Sequence, residues 1–322
     1  MATVLIYDSI HEAGLDVLRA RADLKIVSVP ANDEARLMAA LPDAEAAILR
    51  YYSFNRAAVE AGKRLKVIQR HGVGYDRVDV AAATERRIPV ATVGEANSVT
   101  VAELALYLML AGAKQGLVLD RMTRAGEWKA RESIPSIELF EKNVLIIGFG
   151  RIGTRVAPRC AAFGMQVHVC DPYVSDNVIR AKGYTPVKDF RATLPEMDFV
   201  TVHTPLNDET RHMFDRATLV RMKEGAVFVN TARGEIADNA AVAEALTSGR
   251  LFAAGFDVFD PEPPGTAHPL VVHPRTVLTP HAAALTRECN RRTSIRCAQN
   301  ALDAIDERLD PSYVVNPEAL RR

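Results

Sequence analysis

The 322-residue sequence has no surplus of either charge: 40 lysines and arginines face 40 aspartates and glutamates. A partner held by bulk electrostatics, such as nucleic acid or an anionic membrane surface, is therefore not expected. Cysteine is scarce. Cys160, Cys170, Cys289 and Cys297 show no CxxC spacing and fall in apolar or helical patterns. That argues against a disulfide framework and reads as the reduced, packing cysteines of a cytoplasmic protein. His11, His168, His212, His268 and His273 lack metal-ligand spacing such as HExxH, so no metal is expected. The most apolar run, Val99 to Ala113, carries Glu103 and falls short of the ~20 residues of a membrane-spanning helix. It reads as a buried helix, so no membrane association is expected. Residues Met1 to Asp8 read as a strand and lack the basic-then-apolar order of a secretion signal. Internal repeats and low-complexity tracts are also missing, and the length suits two ordinary domains.

Against these absences one stretch stands out, Asn143-Val-Leu-Ile-Ile-Gly-Phe-Gly-Arg-Ile-Gly153. Apolar Val144 to Ile147 run into Gly148, Gly150 and Gly153, and a helix-permissive segment follows. The next apolar alternation, Gln166 to Cys170, ends at Asp171. A lone GxGxxG is weak, and an ordinary crossover turn is its bland explanation. The order strand, glycines, helix, strand and acidic residue makes it a dinucleotide signature. Gly148 supplies the tight turn, Gly150 the close approach to a pyrophosphate, and Gly153 the close packing of helix on strand. The first helical turn offers free N–H groups to the phosphates, and Asp171 would accept hydrogen bonds from the adenosine ribose.

Residues 1 to about 97 alternate strand candidates with helical stretches. The strands are Val4–Tyr7, Lys25–Val29, Ala46–Leu49, Val67–Gln69 and Val90–Thr92, and the helices include Glu12–Arg21 and Asp33–Ala40. This is a small parallel α/β domain of flavodoxin-like type, without a glycine loop after its first strand. A second series starts at Val144, with six strands: Val144–Ile147, Val167–Cys170, Phe199–Val202, Val227–Asn230, Ala253–Phe256 and Val277–Leu278. The Val99–Ala113 helix, with Ser98 as its N-cap, joins the halves. A helix from Arg287 to about Arg308 returns to the first domain. The expectation is an α/β protein of two doubly wound parallel-sheet domains with a cleft between them. Residues 1–97 and 287–322 would form a flavodoxin-like substrate domain, and 98–286 a Rossmann dinucleotide-binding domain.

Three segments follow predicted strands of the second series: Asn230-Thr-Ala-Arg-Gly234, Asp257-Val-Phe-Asp-Pro-Glu-Pro-Pro264 and Thr279-Pro-His-Ala-Ala-Ala-Leu-Thr286. Singly, Arg233, Glu262 and His281 are ordinary; an arginine or glutamate in a loop is most often solvated. Together they supply what reduction of a 2-keto acid requires. Arginine binds the carboxylate bidentately and polarises the ketone. Histidine donates a proton near neutrality, and a carboxylate beside it fixes the tautomer and favours the charged ring.

On these segments the chain resembles the D-isomer-specific 2-hydroxyacid dehydrogenase family. The most specific pieces are Gly148–Gly153, Phe163–Met165 leading to Asp171-Pro172, His203–Leu206 followed by Glu209-Thr210, and Met222–Ala226. Asn230–Gly234, Asp257–Glu262 and Thr279–His281 complete the likeness. The resemblance implies NAD as cofactor and Arg233, Glu262 and His281 as catalytic residues. It also implies a cofactor site of Gly148, Gly150, Arg151, Ile152, Gly153, Asp171, His203, Thr204, Thr231, Ala232, Arg233, Asp257, His281 and Ala283. Asp257 would meet the nicotinamide carboxamide, and His203 would pack near the cofactor rather than act as an acid. Substrate would touch Arg50, Tyr51, His71, Gly72, Val73, Gly74 and Arg233. Departures are Ala282-Ala-Ala284 where relatives commonly carry glycines, Arg77-Val-Asp79, and Ser136–Glu141 before the cofactor strand.

The resulting expectation is NAD-linked hydride transfer between a small 2-keto acid and its D-2-hydroxy acid, in a cytoplasmic homodimer. Arg50 and Arg70, at strand ends, would favour a polar or anionic C3 group, as in hydroxypyruvate, glyoxylate or phosphoglycerate types. Two rivals carry different expectations. A formate dehydrogenase would place glutamine beside the histidine, where this chain has Glu262. An NAD-sensing binding protein resembling the family's transcriptional co-repressors could retain the triad; the want of a disordered interaction tail speaks for an enzyme.

Overall fold

The computed structural model describes residues 1–50 and 53–320. The chain forms two compact units, Met1–Asn97 with Ala284–Arg322, and Ser98–Ala283. In the first, strands β1 (Ala2–Tyr7), β2 (Leu24–Val29), β3 (Ala46–Leu49), β4 (Val67–Arg70) and β5 (Val90–Ala91) make a parallel sheet of order β2-β1-β3-β4-β5. This is the flavodoxin-like order. Its helices are α1 (Glu12–Arg19), α2 (Glu34–Ala40), α3 (Arg56–Ala61), α4 (Val80–Glu85) and, from the far end of the chain, α13 (Arg287–Ile305). Successive strand residues point to opposite faces. Val4 and Ile6 therefore join Leu18 of α1 and Cys297, Ala298 and Ala301 of α13. Leu5 and Tyr7 instead meet Leu37, Val59 and Ala83 of α2, α3 and α4. A sheet buried on both faces needs apolar residues at every position, which explains the unbroken strand runs.

The second unit holds β6 (Asn143–Ile147), β7 (Gln166–Cys170), β8 (Thr185–Pro186), β9 (Phe199–Val202), β10 (Ala226–Asn230), β11 (Leu251–Phe256) and β12 (Thr276–Leu278). All pair in parallel in the order β12-β11-β10-β9-β6-β7-β8. The winding reverses between β6 and β9, the place where doubly wound sheets open a ligand crevice. Around the sheet lie α5 (Ser98–Ala113), α6 (Gly116–Arg124), α7 (Gly153–Ala162), α8 (Asp176–Ala181), α9 (Phe190–Thr193), α10 (Arg216–Val220), α11 (Asn239–Thr247) and α12 (Pro269–Val272). One face packs Val144 and Ile146 against Ala105, Leu108 and Met109 of α5 and Val156 and Cys160 of α7. The other packs Leu145 and Ile147 with Leu219, Val242 and Leu246 of α10 and α11. Among the described residues no single helix is long and apolar enough to cross a membrane.

Two expectations need correction. The sheet has seven strands, not six, because β8 is a two-residue edge piece ending in Pro186 that pairs only with His168 and Val169. So short a run, closed by a residue without an N–H, carries no strand pattern. Ser98 is not an N-cap: it lies inside α5, and its buried hydroxyl has no hydrogen-bond partner. A cap must stand outside the helix with its oxygen on an early N–H.

Helix α13 is tied to its sheet by buried amides as well as by apolar contact. Asn300 Nδ2 donates to Gln69 Oε1 and to the Thr92 carbonyl, both at 3.0 Å. Gln69 Nε2 donates to the Arg70 carbonyl at 2.7 Å. Nearly two turns nearer the amino end of α13, Ser294 Oγ accepts from the His11 backbone N–H at 2.9 Å and lies 2.9 Å from His71 Nε2. Burial, helped by the Arg50 and Arg70 cations, pushes the His71 imidazole down to about 4 from 6.5.

Two tests follow from this packing. Gly255 of β11 lets α5 approach closely, since a Cβ there would stand 2.7 Å from Leu108 Cβ. Gly255→Ala should destabilise this unit by about 1–3 kcal/mol, the usual cost of overpacking; urea denaturation measures it, and an unchanged midpoint contradicts the packing. The second concerns acid. His71 is held neutral in the fold while the unfolded chain takes up its proton near 6.5, so its contribution is full above about 6.5 and is lost as pH falls towards about 4. Denaturation across that range should show a shallower loss of stability in His71→Gln than in the parent. Identical slopes would show that the ring is not buried as described.

Candidate active site

The site is built from the strand ends of the Ser98–Ala283 unit. After β6 the chain turns at Gly148, whose φ is 92°. A Cβ at Gly148 would sit 2.6 Å from the His203 carbonyl oxygen, and one at Gly153 would sit 2.0 Å from the Gly148 carbonyl. At Gly150 nothing lies within 4 Å, so the space a pyrophosphate needs is open above it. Helix α7 starts at Gly153, so the positive end of its dipole lies at this loop. Asp171, just past β7, accepts from the Phe149 N–H through Oδ2 at 2.7 Å and from the Tyr173 N–H through Oδ1 at 2.8 Å. The carboxylate thus braces the glycine loop, and each oxygen keeps a second lone pair for a ribose hydroxyl.

Next to this loop the ends of β9 and β10 carry buried polar atoms with no protein partner: His203 Nδ1, Thr204 Oγ1 and Thr231 Oγ1. Orphaned buried groups are costly unless something else satisfies them. Three in one cradle, beside an open glycine loop, fit a dinucleotide. Burial pushes His203 down to about 3, so it is neutral near pH 7, with Nε2 held 2.9 Å from Thr201 Oγ1. Such a ring packs and hydrogen-bonds; it has no proton to give.

Arg233, Glu262 and His281 come from the ends of β10, β11 and β12. After β10, buried Asn230 staples its own loop: Oδ1 accepts from the Ala232 N–H at 3.0 Å and Nδ2 donates to the Arg233 carbonyl at 2.7 Å. Arg233 Nη1 donates to the Ala232 carbonyl at 2.7 Å. Gly234 packs directly on the β11 loop, because a Cβ there would fall 2.0 Å from the Phe259 carbonyl carbon. Asn239 Nδ2 reaches the Gly234 and Ala237 carbonyls at 3.1 and 2.7 Å, and its Oδ1 accepts from the Asp260 N–H at 3.4 Å. The loop bearing Arg233 is therefore fastened to the loop bearing Glu262. Glu262 Oε1 accepts from the Phe259 N–H at 3.1 Å, and its two oxygens lie 2.9 and 3.1 Å from His281 Nδ1. With Nδ1 engaged, the bond to Glu262 sets the tautomer and orientation of the ring. The His281 side chain is 44% exposed against 21% for Glu262, so the carboxylate lies on the more buried side of the ring. Asp257, 1% exposed, accepts from Thr279 Oγ1 at 2.6 Å and from the N–H groups of Ala282 and Ala283.

In the Met1–Asn97 unit, the loop after β4 is shaped by Arg70. Its Nε donates to the Gly74 carbonyl at 3.0 Å and its Nη1 to the Leu49 carbonyl at 3.3 Å. Arg70 is 8% exposed, so the guanidinium expected to reach for a substrate tail instead spans its own loop. The His71 N–H donates to Leu49, Gly72 O accepts from the Val93 N–H, and Val73 packs into the core below. Arg50 Nη1 lies 3.4 Å from the Ser9 carbonyl. Tyr51 falls outside the described residues. Sequence reasoning missed Asn239, Thr279, Gln69, Asn300 and Ser294 as positioning groups, because nothing local distinguishes a bonded amide or hydroxyl from a solvated one.

Residues 106–283 match the profile described as D-isomer specific 2-hydroxyacid dehydrogenase, NAD binding domain. The chain is 35% identical over 318 residues to a D-3-phosphoglycerate dehydrogenase of Methanocaldococcus jannaschii, covering 98% of this chain and 60% of that protein. It thus spans less than two thirds of that relative's length. It is also 35% identical over 301 residues to a hydroxypyruvate reductase of Thermotoga maritima, covering 92% of this chain and 96% of the relative. An NAD-dependent formate dehydrogenase from Staphylococcus aureus, solved in complex with NAD, superposes with a TM-score of 0.86 at 30% identity, covering 98% of this chain and 99% of that one. With its motifs, its two parallel sheets and these matches, the chain belongs to the D-isomer specific 2-hydroxyacid dehydrogenase family.

Proposed function

We propose that this protein reduces a small 2-keto acid to its D-2-hydroxy acid with NADH, and runs the reverse reaction with NAD. The observation that carries the reading is the His281–Glu262 pair, 2.9 Å apart, beside the loop of Arg233. Bound NADH supplies the hydride that the carbonyl carbon accepts. Arg233 binds the substrate carboxylate and draws charge from the ketone oxygen. His281 Nε2 gives its proton to that oxygen as the alkoxide develops, and Glu262 holds the ring in place through Nδ1. Oxidation reverses each step, with His281 taking the hydroxyl proton. Glu262 also separates this site from the formate-oxidising pattern, in which the histidine has no charge to cycle.

For the cofactor, Gly148, Gly150, Arg151, Ile152 and Gly153 would hold the pyrophosphate and Asp171 the ribose. His203, Thr204, Thr231, Ala232 and Ala283 would line the rest. For the substrate, the Val73 and Gly74 N–H groups and the Arg50 cation support an anion with a polar or charged C3 group. The names of the relatives, phosphoglycerate dehydrogenase and hydroxypyruvate reductase, point the same way. Exposed Tyr107, Leu117 and Trp128 support a homodimer, since large apolar side chains at 46–64% exposure suit a second copy of the chain. Four buried free cysteines among the described residues fit a reducing cytoplasm.

Kinetics test the reading in three ways. His281→Ala should lower the reduction rate by roughly 10²–10⁴ while leaving NADH affinity nearly unchanged; a rate close to the parent's removes His281 from the chemistry. NADH should exceed NADPH in kcat/KM by orders of magnitude, because a carboxylate at ~4 Å from a 2′-phosphate costs about 4 kcal/mol in an intermediate dielectric. Equal use of both cofactors would contradict the role of Asp171. In a panel of keto acids, hydroxypyruvate or its phosphorylated form should outrun 2-ketoisocaproate, since polar groups left unpaired by an apolar tail are costly. Preference for the branched acid would overturn the proposed tail pocket.

A further inference from the structure

The turn that carries His281 is framed by one residue. Asp257 follows β11 and is 1% exposed. Its Oδ1 accepts from Thr279 Oγ1 at 2.6 Å and from the Ala282 N–H at 2.7 Å. Its Oδ2 accepts from the Ala283 N–H at 3.1 Å, and its backbone carbonyl accepts from the His281 N–H at 2.7 Å. Thus the four bonds of Asp257 enclose residues 279–283. At the centre of the turn His281 has φ 51°, a left-handed conformation that a side chain rarely adopts without outside support. Successive N–H groups around such a residue form a nest for an anion. Here the anion is the protein's own carboxylate, where the family resemblance assigns Asp257 only to the cofactor.

We propose that Asp257 is a positioning residue for His281: its carboxylate locks the 279–283 turn in the conformation that brings the imidazole Nδ1 onto Glu262. The proposal rests on the reading of His281 as the proton donor, and it adds the cause of that residue's placement. The bonding pattern explains why a buried acid stands at this strand end. Burial pushes the Asp257 carboxyl above its ordinary range, and the bonds from Thr279, Ala282 and Ala283 pull it back. An asparagine cannot substitute. Its oxygen could serve Thr279 and Ala282, but its NH2 would face the Ala283 N–H, donor against donor.

The test reads the histidine directly in the cofactor-free protein. An Nδ1–H held by Glu262 gives a downfield proton resonance that exchanges slowly, assigned by its loss in His281→Ala. We expect that resonance in the parent and in Thr279→Ser, which keeps the hydroxyl, and its loss in Asp257→Asn and Thr279→Val. In turnover, Thr279→Val should lower kcat by roughly 10–100-fold, the scale of a misplaced catalytic group. Its NADH dissociation constant, read by fluorescence, should stay within about twofold, as expected of an interaction felt at the reacting centre. Thr279→Ser should recover most of the rate. If Asp257→Asn and Thr279→Val keep the resonance and Asp257→Asn only weakens NADH binding, Asp257 is a cofactor contact and the proposal falls. Should Asp257→Asn fail to fold, the two Thr279 variants decide it. A parent without turnover on any 2-keto acid would overturn the dehydrogenase reading, whereas the resonance would still judge the lock.

Discussion

The parallel sheet of Ser98–Ala283 is the constraint on which the site depends. When all seven strands run one way, every strand delivers its carboxyl end to the same edge, and helices must cover both faces. The core then determines where chemistry can stand. Val144 to Ile147 are packed from above and below, so Gly148 must begin its turn where it does. The same holds for Asn230 after β10, Asp257 after β11 and Thr279 after β12. A buried sheet has no freedom to slide, because a one-residue shift would exchange its two apolar faces. The geometry of Arg233, Glu262 and His281 inherits that rigidity through short loops.

Short loops at a buried edge raise a second problem, since their backbone groups lose water. Side-chain amides and carboxylates answer it. Asn230 closes the Arg233 loop, Asn239 joins that loop to the next, and Glu262 caps the Phe259 N–H while meeting His281. In the other unit Gln69 and Asn300 do the same beneath the Arg70–Gly74 loop. Two histidines in these surroundings, His71 and His203, are driven neutral by burial. His281 differs in having solvent on one side and a carboxylate on the other. The contrast separates two rings held in the interior from one that reaches solvent.

Much of this was legible in the sequence, for a physical reason. Strands buried on both faces leave continuous apolar runs, so eleven of the twelve strands could be placed, with Phe199–Val202 and Ala46–Leu49 placed to the residue. The glycine loop was legible because its backbone demands at Gly148 and Gly153 exclude other residues. What could not be read depends on partners distant in the chain. β8 has two residues and a proline, so no period exists to detect. Ser98 looks like a cap locally, yet the helix begins one residue earlier than such a cap allows. Arg70 looks like a ligand for an anion until the carbonyls of Leu49 and Gly74 are seen around it. The amide staples belong to the same class, since an asparagine at a strand end is silent until its loop closes on it.

The most direct test of the account is the handedness of the product. Purified protein, NADH and hydroxypyruvate should yield a 2-hydroxy acid that chiral chromatography shows to be the D enantiomer, in an amount equal to the NADH consumed. An L product, a racemate, or no oxidation of NADH by any small 2-keto acid would contradict it.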